Sequence, residues 1–389
     1  MEKTNETFQI LNYFSTFAIE MAGIYIHIPF CKSRCIYCGF YSTTSLQQRQ
    51  RYVDAVCHEM VKRTTDSAIG TIYLGGGTPS QLTLPQLHQL FDALYNIYNV
   101  DDDAEITIEM NPDDVTPEMT SGLSALPVNR VSMGAQTFDD QRLRFLNRRH
   151  NACQVSKAVS QLRQAGISNI SIDLMYGFPD ESIEAWNKDI DCALALDVEH
   201  LSAYCLMIEE GTELFELMNK EKKTKHDEET ERQMYYTLID RLTGAGFEHY
   251  EISNFARPGR RSRHNSSYWT DVPYIGLGAA AHSYDGQRRQ WNVSNLEQYI
   301  QGVELDTPCA GYEDIDPTTR FNDRIMLALR TCEGLELGML DNDDRRYVMR
   351  QADKYLRSRL LAIVDDRLAL TRQGLFVSDM IMSDLMKEN

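Results

Sequence analysis

Three of the nine cysteines lie within eight residues near the start of the chain, as Cys31, Cys35 and Cys38. Three thiolates on one short loop can surround one face of a compact iron–sulfur cluster, whose irons prefer cysteine sulfur. A cubane cluster holds four irons, so three ligands from the chain leave one iron open, and an open position is where a metal does chemistry. The spacing therefore predicts a [4Fe-4S] cluster with one free iron.

A structural zinc site is the alternative for the same three cysteines. Such a site is normally closed by a fourth cysteine or histidine. The nearest candidate is His27, which lies in the preceding predicted strand. The remaining six cysteines are scattered, and an odd total argues against a disulfide framework, so clustered thiols favour a metal.

Alternating strands and helices must position this loop. Helix-like patterns separate short β-rich runs, and this alternation predicts parallel βαβ units of the α/β class. Six units predict a partial (β/α)6 barrel, and a doubly wound sheet stays open as the alternative. The predicted strands are 23–28, 71–75, 105–109, 130–134, 170–175 and 199–206, and the predicted helices are 46–63, 84–98, 115–125, 151–165, 182–196 and 228–245.

The pattern changes after the barrel. Residues 1–20 show no clear pattern and are predicted to be an extension, with Met21 as a candidate true start. The barrel occupies 21–246, and a strand-rich region follows at 247–315. Residues 316–389 show the order helix, helix, hairpin and helix, which predicts a C-terminal α+β region ending in a winged-helix-like module.

The overall composition excludes several classes of function. The chain has 389 residues with 39 basic and 57 acidic side chains, a net charge of −18. This excess of acid argues against nucleic-acid binding and against docking on anionic membranes. The C-terminal module is accordingly predicted to be a lid or docking module rather than a nucleic-acid reader. No membrane-length apolar run or signal peptide is visible, which predicts a cytoplasmic protein.

The spacing C-x3-C-x2-C after the first strand resembles the radical S-adenosylmethionine (SAM) superfamily. The resemblance extends to the C-terminus and is closest to the oxygen-independent coproporphyrinogen III oxidase-like family. It implies that the three cysteines hold the cluster and that the amino and carboxylate groups of SAM chelate the open iron. The segments that carry it are 25–31, 75–79, 108–112, 134–138, 173–179 and 210–212.

The same resemblance implies a set of SAM-contacting residues. Most of them follow the carboxyl ends of predicted strands, where β/α barrels place their chemistry. Arg148 offers a planar fork suited to a carboxylate, and Asp173 lies in an apolar run where an acid is costly unless it is paired. Tyr37 is a weaker candidate. The full set is Tyr25, Gly76, Gly77, Thr78, Glu109, Gln136, Arg148 and Asp173.

Two features separate the branches of this family. The oxidase pattern has a fourth cysteine two residues after the third, and this chain has Phe40 there. The sister branch of heme chaperones carries H-N-x-x-Y-W, and residues 264–269 are His-Asn-Ser-Ser-Tyr-Trp. Chemistry alone favours the interpretation of His264 as a solvated residue beside a core tryptophan. The complete match, together with Phe40, favours His264 as a heme iron ligand.

The resemblance therefore implies a heme chaperone that binds heme, a [4Fe-4S] cluster and SAM. Its implied partners are apo-hemoproteins that receive heme, and a homodimer is a further expectation. The alternative is a coproporphyrinogen III oxidase, which would use the deoxyadenosyl radical to decarboxylate propionates oxidatively.

Overall fold

An open sheet of parallel strands forms the centre of the fold. The computed structural model describes residues 21–221 and 226–388, so the predicted extension at 1–20 lies outside the described residues. Each of the first five strands pairs in parallel with the next, as the βαβ pattern predicts. The six strands are β1 (Ala22–Ile28), β2 (Ile69–Gly76), β3 (Val100–Met110), β4 (Arg130–Gln136), β5 (Asn169–Tyr176) and β6 (His200–Cys205).

The strand order decides between the two predicted architectures. β1 to β6 are neighbours in the order in which they occur along the chain, whereas a doubly wound sheet reverses its order at a switch point. The doubly wound alternative is therefore wrong. The prediction of a partial (β/α)6 barrel is confirmed, because within the described residues the sheet does not close on itself.

Helices connect these strands. α2 begins at a capping box in which Thr83 and Gln86 satisfy each other's backbone N–H groups. The sequence does not predict α4, because its six residues are too few to show a helical period. Nor does it predict α7. The helices of this region are α1 (Arg49–Lys62), α2 (Leu84–Ile97), α3 (Pro117–Leu123), α4 (Asp140–Phe145), α5 (Ala152–Gln164), α6 (Ile183–Ala195), α7 (Glu213–Glu221) and α8 (Glu228–Gly244).

The two faces of the barrel strands differ in polarity. On β1, Ile24 and Ile26 are fully buried in the main hydrophobic core. The alternate residues Tyr25 and His27 face the interior, where Tyr25 stacks on Tyr73 of β2. Barrel interiors are usually filled by branched apolar side chains. A polar interior instead provides groups that a ligand can use.

The chain between the barrel and the C-terminal module extends the same sheet at both edges. β7 and β8 continue it beyond β6, and β9 to β12 continue it beyond β1. The division into domains at 246 and 315 stays a prediction. These elements are β7 (Glu248–Glu251), β8 (Asn254–Ala256), α9 (Arg263–Tyr268), β9 (Tyr274–Leu277), β10 (His282–Tyr284), β11 (Arg288–Asn292), α10 (Leu296–Glu304) and β12 (Ala310–Asp314).

The C-terminal module has its own hydrophobic core, centred on Ile325, Val348 and Ile381. This α+β arrangement confirms the predicted class of the region. The predicted closing helix is two helices, because the chain leaves the helical conformation at Val377. The elements are α11 (Pro317–Leu329), β13 (Leu335–Glu336), α12 (Asn342–Arg357), β14 (Leu361–Val364), β15 (Arg367–Leu370), α13 (Arg372–Leu375) and α14 (Ser378–Leu385). Across 21–221 and 226–388, no helix has both the length and the apolar character needed to cross a membrane.

Candidate functional site

A cavity of about 690 Å³ lies at the carboxyl ends of the barrel strands. Parallel strands bring their ends to one edge, so residues far apart in the chain meet there. The structure brings together ten of the twelve predicted site residues around this cavity. They are Cys31, Cys35, Cys38, Gly76, Gly77, Thr78, Glu109, Gln136, Arg148 and Asp173.

The three cysteine thiols line one wall of the cavity. The Cys31 Sγ atom lies 3.5 Å from the Thr78 hydroxyl, and Cys35 Sγ lies 3.5 Å from Nη1 of Arg148. Burial raises the pKa of the Cys31 and Cys38 thiols, and none of the three is in a disulfide. Metal binding takes thiolates, so it must overcome this preference for the protonated form.

The spacing of these thiols bears on the zinc alternative. Among the residues that the structure describes, no three His, Cys, Asp or Glu side chains converge closely enough to share one metal ion. A tetrahedral zinc site needs such convergence. The three thiols therefore form no ready-made zinc site within the described part of the chain.

Two glycines allow the cysteine loop to approach β2. Gly76 has a φ of +105°, and a Cβ atom there would lie 2.5 Å from the His27 ring. A Cβ atom on Gly77 would lie 2.8 Å from the backbone of Pro29. The Gly77 N–H donates to the Ile28 carbonyl at 2.9 Å. These glycines therefore serve close backbone packing here, because a residue without a Cβ atom tolerates approaches that other residues do not.

Two carboxyl groups face the cavity in an environment that opposes ionisation. Glu109 accepts hydrogen bonds from the Tyr73 hydroxyl at 2.7 Å and from the Gly76 N–H at 3.1 Å. Burial raises the pKa of Glu109 to about 7 and that of Asp173 to about 6. A bound cation would favour the ionised forms. The pair therefore suits a positively charged ligand group.

Arg148 is held rigidly beside the cysteine loop. Its Nη2 donates to the Asn111 side-chain oxygen and to the Gly134 carbonyl, both at 2.6 Å. Gln136 has a φ of +66°, a strained backbone of the kind that clusters at functional sites. Sequence reasoning missed Asn111, which lines the cavity and orients Arg148.

Tyr25 and His264 lie apart from the cysteines. The His264 ring lies beside Gly23 at the start of β1, where a Cβ atom would be 3.4 Å from it, whereas Cys31 follows the end of this strand. A seven-residue strand spans roughly 20 Å. The Tyr25 ring stacks on the His264 ring. Neither residue lines the cavity wall, but Asn265 does, so α9 contributes to the cavity through Asn265.

His264 is buried and hydrogen-bonded at both ring nitrogens, with only 1% of its surface exposed. Its Nδ1 lies 2.8 Å from the Thr71 hydroxyl, and its Nε2 lies 2.9 Å from the hydroxyl of Tyr268, which is one helical turn further along α9. Burial lowers its pKa to about 3. The interpretation of His264 as a solvated residue is therefore wrong.

Exposed apolar side chains form part of the cavity lining. Phe40, which takes the place of the fourth cysteine, is 70% exposed, and Met207 is 61% exposed. Both line the cavity. Exposed large apolar side chains in a cavity lining suit a flat apolar ligand.

Comparison with known families agrees with this geometry. The sequence pattern described as the Radical SAM superfamily matches residues 25–193, and the HemN C-terminal domain pattern matches residues 315–377. A solved structure titled as the coproporphyrinogen III oxidase HemN of Escherichia coli, a radical SAM enzyme, has a TM-score of 0.82. At 22% identity, over 95% of this chain and 91% of that one, the likeness shows a shared fold.

Relatives of higher identity are named as heme chaperones. The heme chaperone HemW of Bacillus subtilis is 36% identical over 81% of this chain and 85% of its own. HemW of Mycobacterium tuberculosis is 32% identical over 94% of both chains. HemW of Escherichia coli is 35% identical over 80% of this chain and 83% of its own. The chain therefore belongs to the HemW family of the radical SAM superfamily.

Proposed function

We propose that this protein is a heme chaperone that binds heme, a [4Fe-4S] cluster and SAM, and that it delivers heme to apo-hemoproteins. The observation that carries the proposal is the likeness, over most of both chains, to relatives named heme chaperones. Phe40 supports it, because the oxidase pattern has a cysteine at that position.

In this proposal Cys31, Cys35 and Cys38 hold the cluster, and the cluster, when bound, supplies an open iron for SAM. The Thr78 hydroxyl and the Arg148 guanidinium lie next to two of the sulfurs and stabilise their negative charge. Glu109 and Asp173 face the cationic groups of SAM. Gly76, Gly77, Gln136 and Tyr25 shape and support this pocket.

His264 is the proposed ligand of the heme iron. Its Nε2 is hydrogen-bonded to the Tyr268 hydroxyl in this structure, and the ring is buried. Iron binding therefore requires α9 to shift and Tyr268 to release that nitrogen. The proposal couples heme capture to a movement of this short helix.

The test is an anaerobic heme titration of the cluster-loaded protein, followed by absorption spectroscopy. Stoichiometric binding with a ligated-heme spectrum is expected in the wild type and in His88→Ala, which changes an exposed histidine. His264→Ala should lose that spectrum. An unchanged spectrum in His264→Ala would show that another residue binds the heme iron.

The second candidate is a coproporphyrinogen III oxidase, which the HemN-like fold favours. An assay with coproporphyrinogen, SAM and a reductant distinguishes the two. Vinyl products would establish the oxidase, and their absence alongside heme binding supports the chaperone.

The proposal also includes a cytoplasmic location, a homodimer and apo-hemoproteins as recipients. Light scattering of the cluster-loaded and cluster-free forms tests the dimer. Heme transfer to an apo-hemoprotein, followed by its absorption spectrum, tests delivery.

A further inference from the structure

Arg130, the first residue of β4, is a buried cation without an ion-pair partner among the described residues. Its side chain is 1% exposed. Its Nε and Nη1 atoms are buried and make no hydrogen bond within the part of the chain that the structure describes. A buried guanidinium is costly unless it is paired. Yet Arg130 lines the cavity described above.

The acidic side chains nearest to Arg130 are hydrogen-bonded to other groups. Burial raises the pKa of both Glu109 and Asp173, and Arg130 lies close enough for its charge to oppose that rise. Glu109, however, accepts from Tyr73 and Gly76, and Asp173 is hydrogen-bonded to Ser202. Neither forms an ion pair with Arg130.

The other charged and titratable groups around this level of the barrel are also occupied. His200 and His264, whose pKa values burial lowers, are hydrogen-bonded at both ring nitrogens. The Glu105 carboxylate binds the first N–H groups of α9, and Glu251 is paired with Arg330. The Nε and Nη1 donors of Arg130 therefore have no acceptor in the described part of the chain.

A second buried group at the same level has no partner either. Thr107 pairs in register with Arg130 on the neighbouring strand β3. Its hydroxyl oxygen is buried and makes no hydrogen bond among the described residues. Arginine is the side chain best suited to bind a carboxylate, and a hydroxyl can donate to the same oxygen. The two unpaired groups therefore lie at one level of the barrel, and of the two it is Arg130 that lines the cavity.

We propose that Arg130 is the receptor for a carboxylate group that enters the barrel through the cavity. The source that fits is a propionate of the tetrapyrrole, because the carboxylate of SAM is already assigned to the open iron, and Arg130 lies close enough to His264 for its charge to act on that ring. This assignment rests on the proposed function.

The experiment compares the tetrapyrrole with a form that lacks the carboxylates. Dissociation constants of the cluster-loaded protein are measured anaerobically for iron protoporphyrin IX and its dimethyl ester. The wild type should prefer the acid over the ester by roughly 10- to 100-fold, the range for a hydrogen bond to a charged group.

Arg130→Met should reduce that preference to within about threefold, because it removes the donors and keeps the bulk. Arg130→Lys should retain part of it, because the charge remains. Arg163→Met is the control, since Arg163 pairs with Glu199 and does not line the cavity. It should retain the wild-type preference.

Each outcome decides the proposal. A preference for the acid that is lost in Arg130→Met assigns the site to a propionate. Equal binding of acid and ester by the wild type, or the same preference in Arg130→Met, would overturn the proposal. If Arg130→Met does not fold, the preference of the wild type and its partial retention in Arg130→Lys decide. If the wild type binds neither the acid nor the ester, the chaperone function fails, whereas equal binding of both contradicts the role of Arg130 alone.

Discussion

At the scale of single residues, burial sets the charge of the site. Glu109 lies among aromatic side chains and glycine backbone, and this buried environment raises its pKa to about 7. An unfolded glutamate ionises near 4.5. The folded protein therefore keeps a proton over a pH range in which the unfolded chain has lost it, and this difference links stability to pH.

Glu109→Gln should remove this pH dependence. In the wild type, the stability present below about pH 4.5 is lost as pH rises to about 7, by up to roughly 3 kcal/mol. The melting temperature of Glu109→Gln minus that of the wild type should therefore rise across this range in the cluster-free protein. Glu216→Gln, which changes an exposed acid on α7, is the control and should give a flat difference. A flat difference for Glu109→Gln would contradict the prediction.

The cysteine triplet gives a second prediction at this scale. Serine at Cys31, Cys35 or Cys38 removes a thiolate ligand and should reduce bound iron and sulfide from about four each per chain to near zero. Chemical analysis and the visible absorption of the reconstituted protein measure this. Cys192→Ser, which changes an exposed cysteine on α6, should retain the full content. Zinc in place of iron would support the single-ion alternative instead.

The sequence allowed most of the cavity wall to be predicted, because its residues follow strands that end at one edge. This rule predicts Glu109 and Asp173 as site residues. It does not predict Arg130, because Arg130 stands at the start of its strand and its long side chain reaches the cavity from there. The sequence feature that could have indicated Arg130 is an arginine at the start of an apolar strand.

At the scale of elements, the short helix α9 depends on contacts outside its own length. It has only six residues, and its first N–H groups donate to a carboxylate from a distant strand. Glu105 accepts from the backbone N–H groups of Arg263 and His264, both at 3.0 Å. A negative charge at a helix N-terminus stabilises it. Glu105 therefore holds α9, and with it His264, in the barrel.

Glu105→Gln should loosen α9 and expose His264. The lost charge corresponds to about 1–2 kcal/mol, or a roughly 5- to 30-fold faster modification of His264 by diethylpyrocarbonate. Mass spectrometry of the modified peptide measures the rate. Glu199→Gln is the control, because Glu199 also accepts from a backbone N–H, that of Ile170, but on another part of the barrel. Equal rates in wild type and Glu105→Gln would show that Glu105 does not hold α9.

The strand and helix bounds of the barrel could be predicted closely, because apolar runs and caps are local signals. The placement of β7 to β12 could not, since nothing local tells a strand which edge of a sheet it joins. The contribution of α9 to the site depends on this placement, because α9 lies between β8 and β9 in the chain. The burial of His264 therefore depends on long-range strand pairing, and the sequence alone could not predict it.

At the scale of the whole molecule, one buried ion pair joins the C-terminal module to the barrel sheet. Arg330, at the end of α11, donates to the Glu251 carboxylate at 2.8 and 3.1 Å. The Glu251 side chain is fully buried. The Ile252 N–H also donates to the Arg330 carbonyl at 3.1 Å. This polar contact therefore needs one residue from the C-terminal module and one from the barrel sheet.

Arg330→Met should uncouple the two cores. It leaves a buried carboxylate short of a partner, which we expect to cost roughly 2–3 kcal/mol. Calorimetry should show a lower melting temperature and a separate transition for the C-terminal module. Arg357→Met removes an exposed pair with Asp353 and should cost less than about 0.5 kcal/mol. A single unshifted transition in Arg330→Met would show that the contact does not couple the cores.

One shared cavity also links the two proposed ligands. The cysteine loop, Arg130 and Asn265 all line it. A tetrapyrrole held at Arg130 and SAM held beside the cysteine loop would therefore be close neighbours. Binding of either ligand should change the affinity for the other by the same factor, and heme titrations with and without SAM measure this linkage.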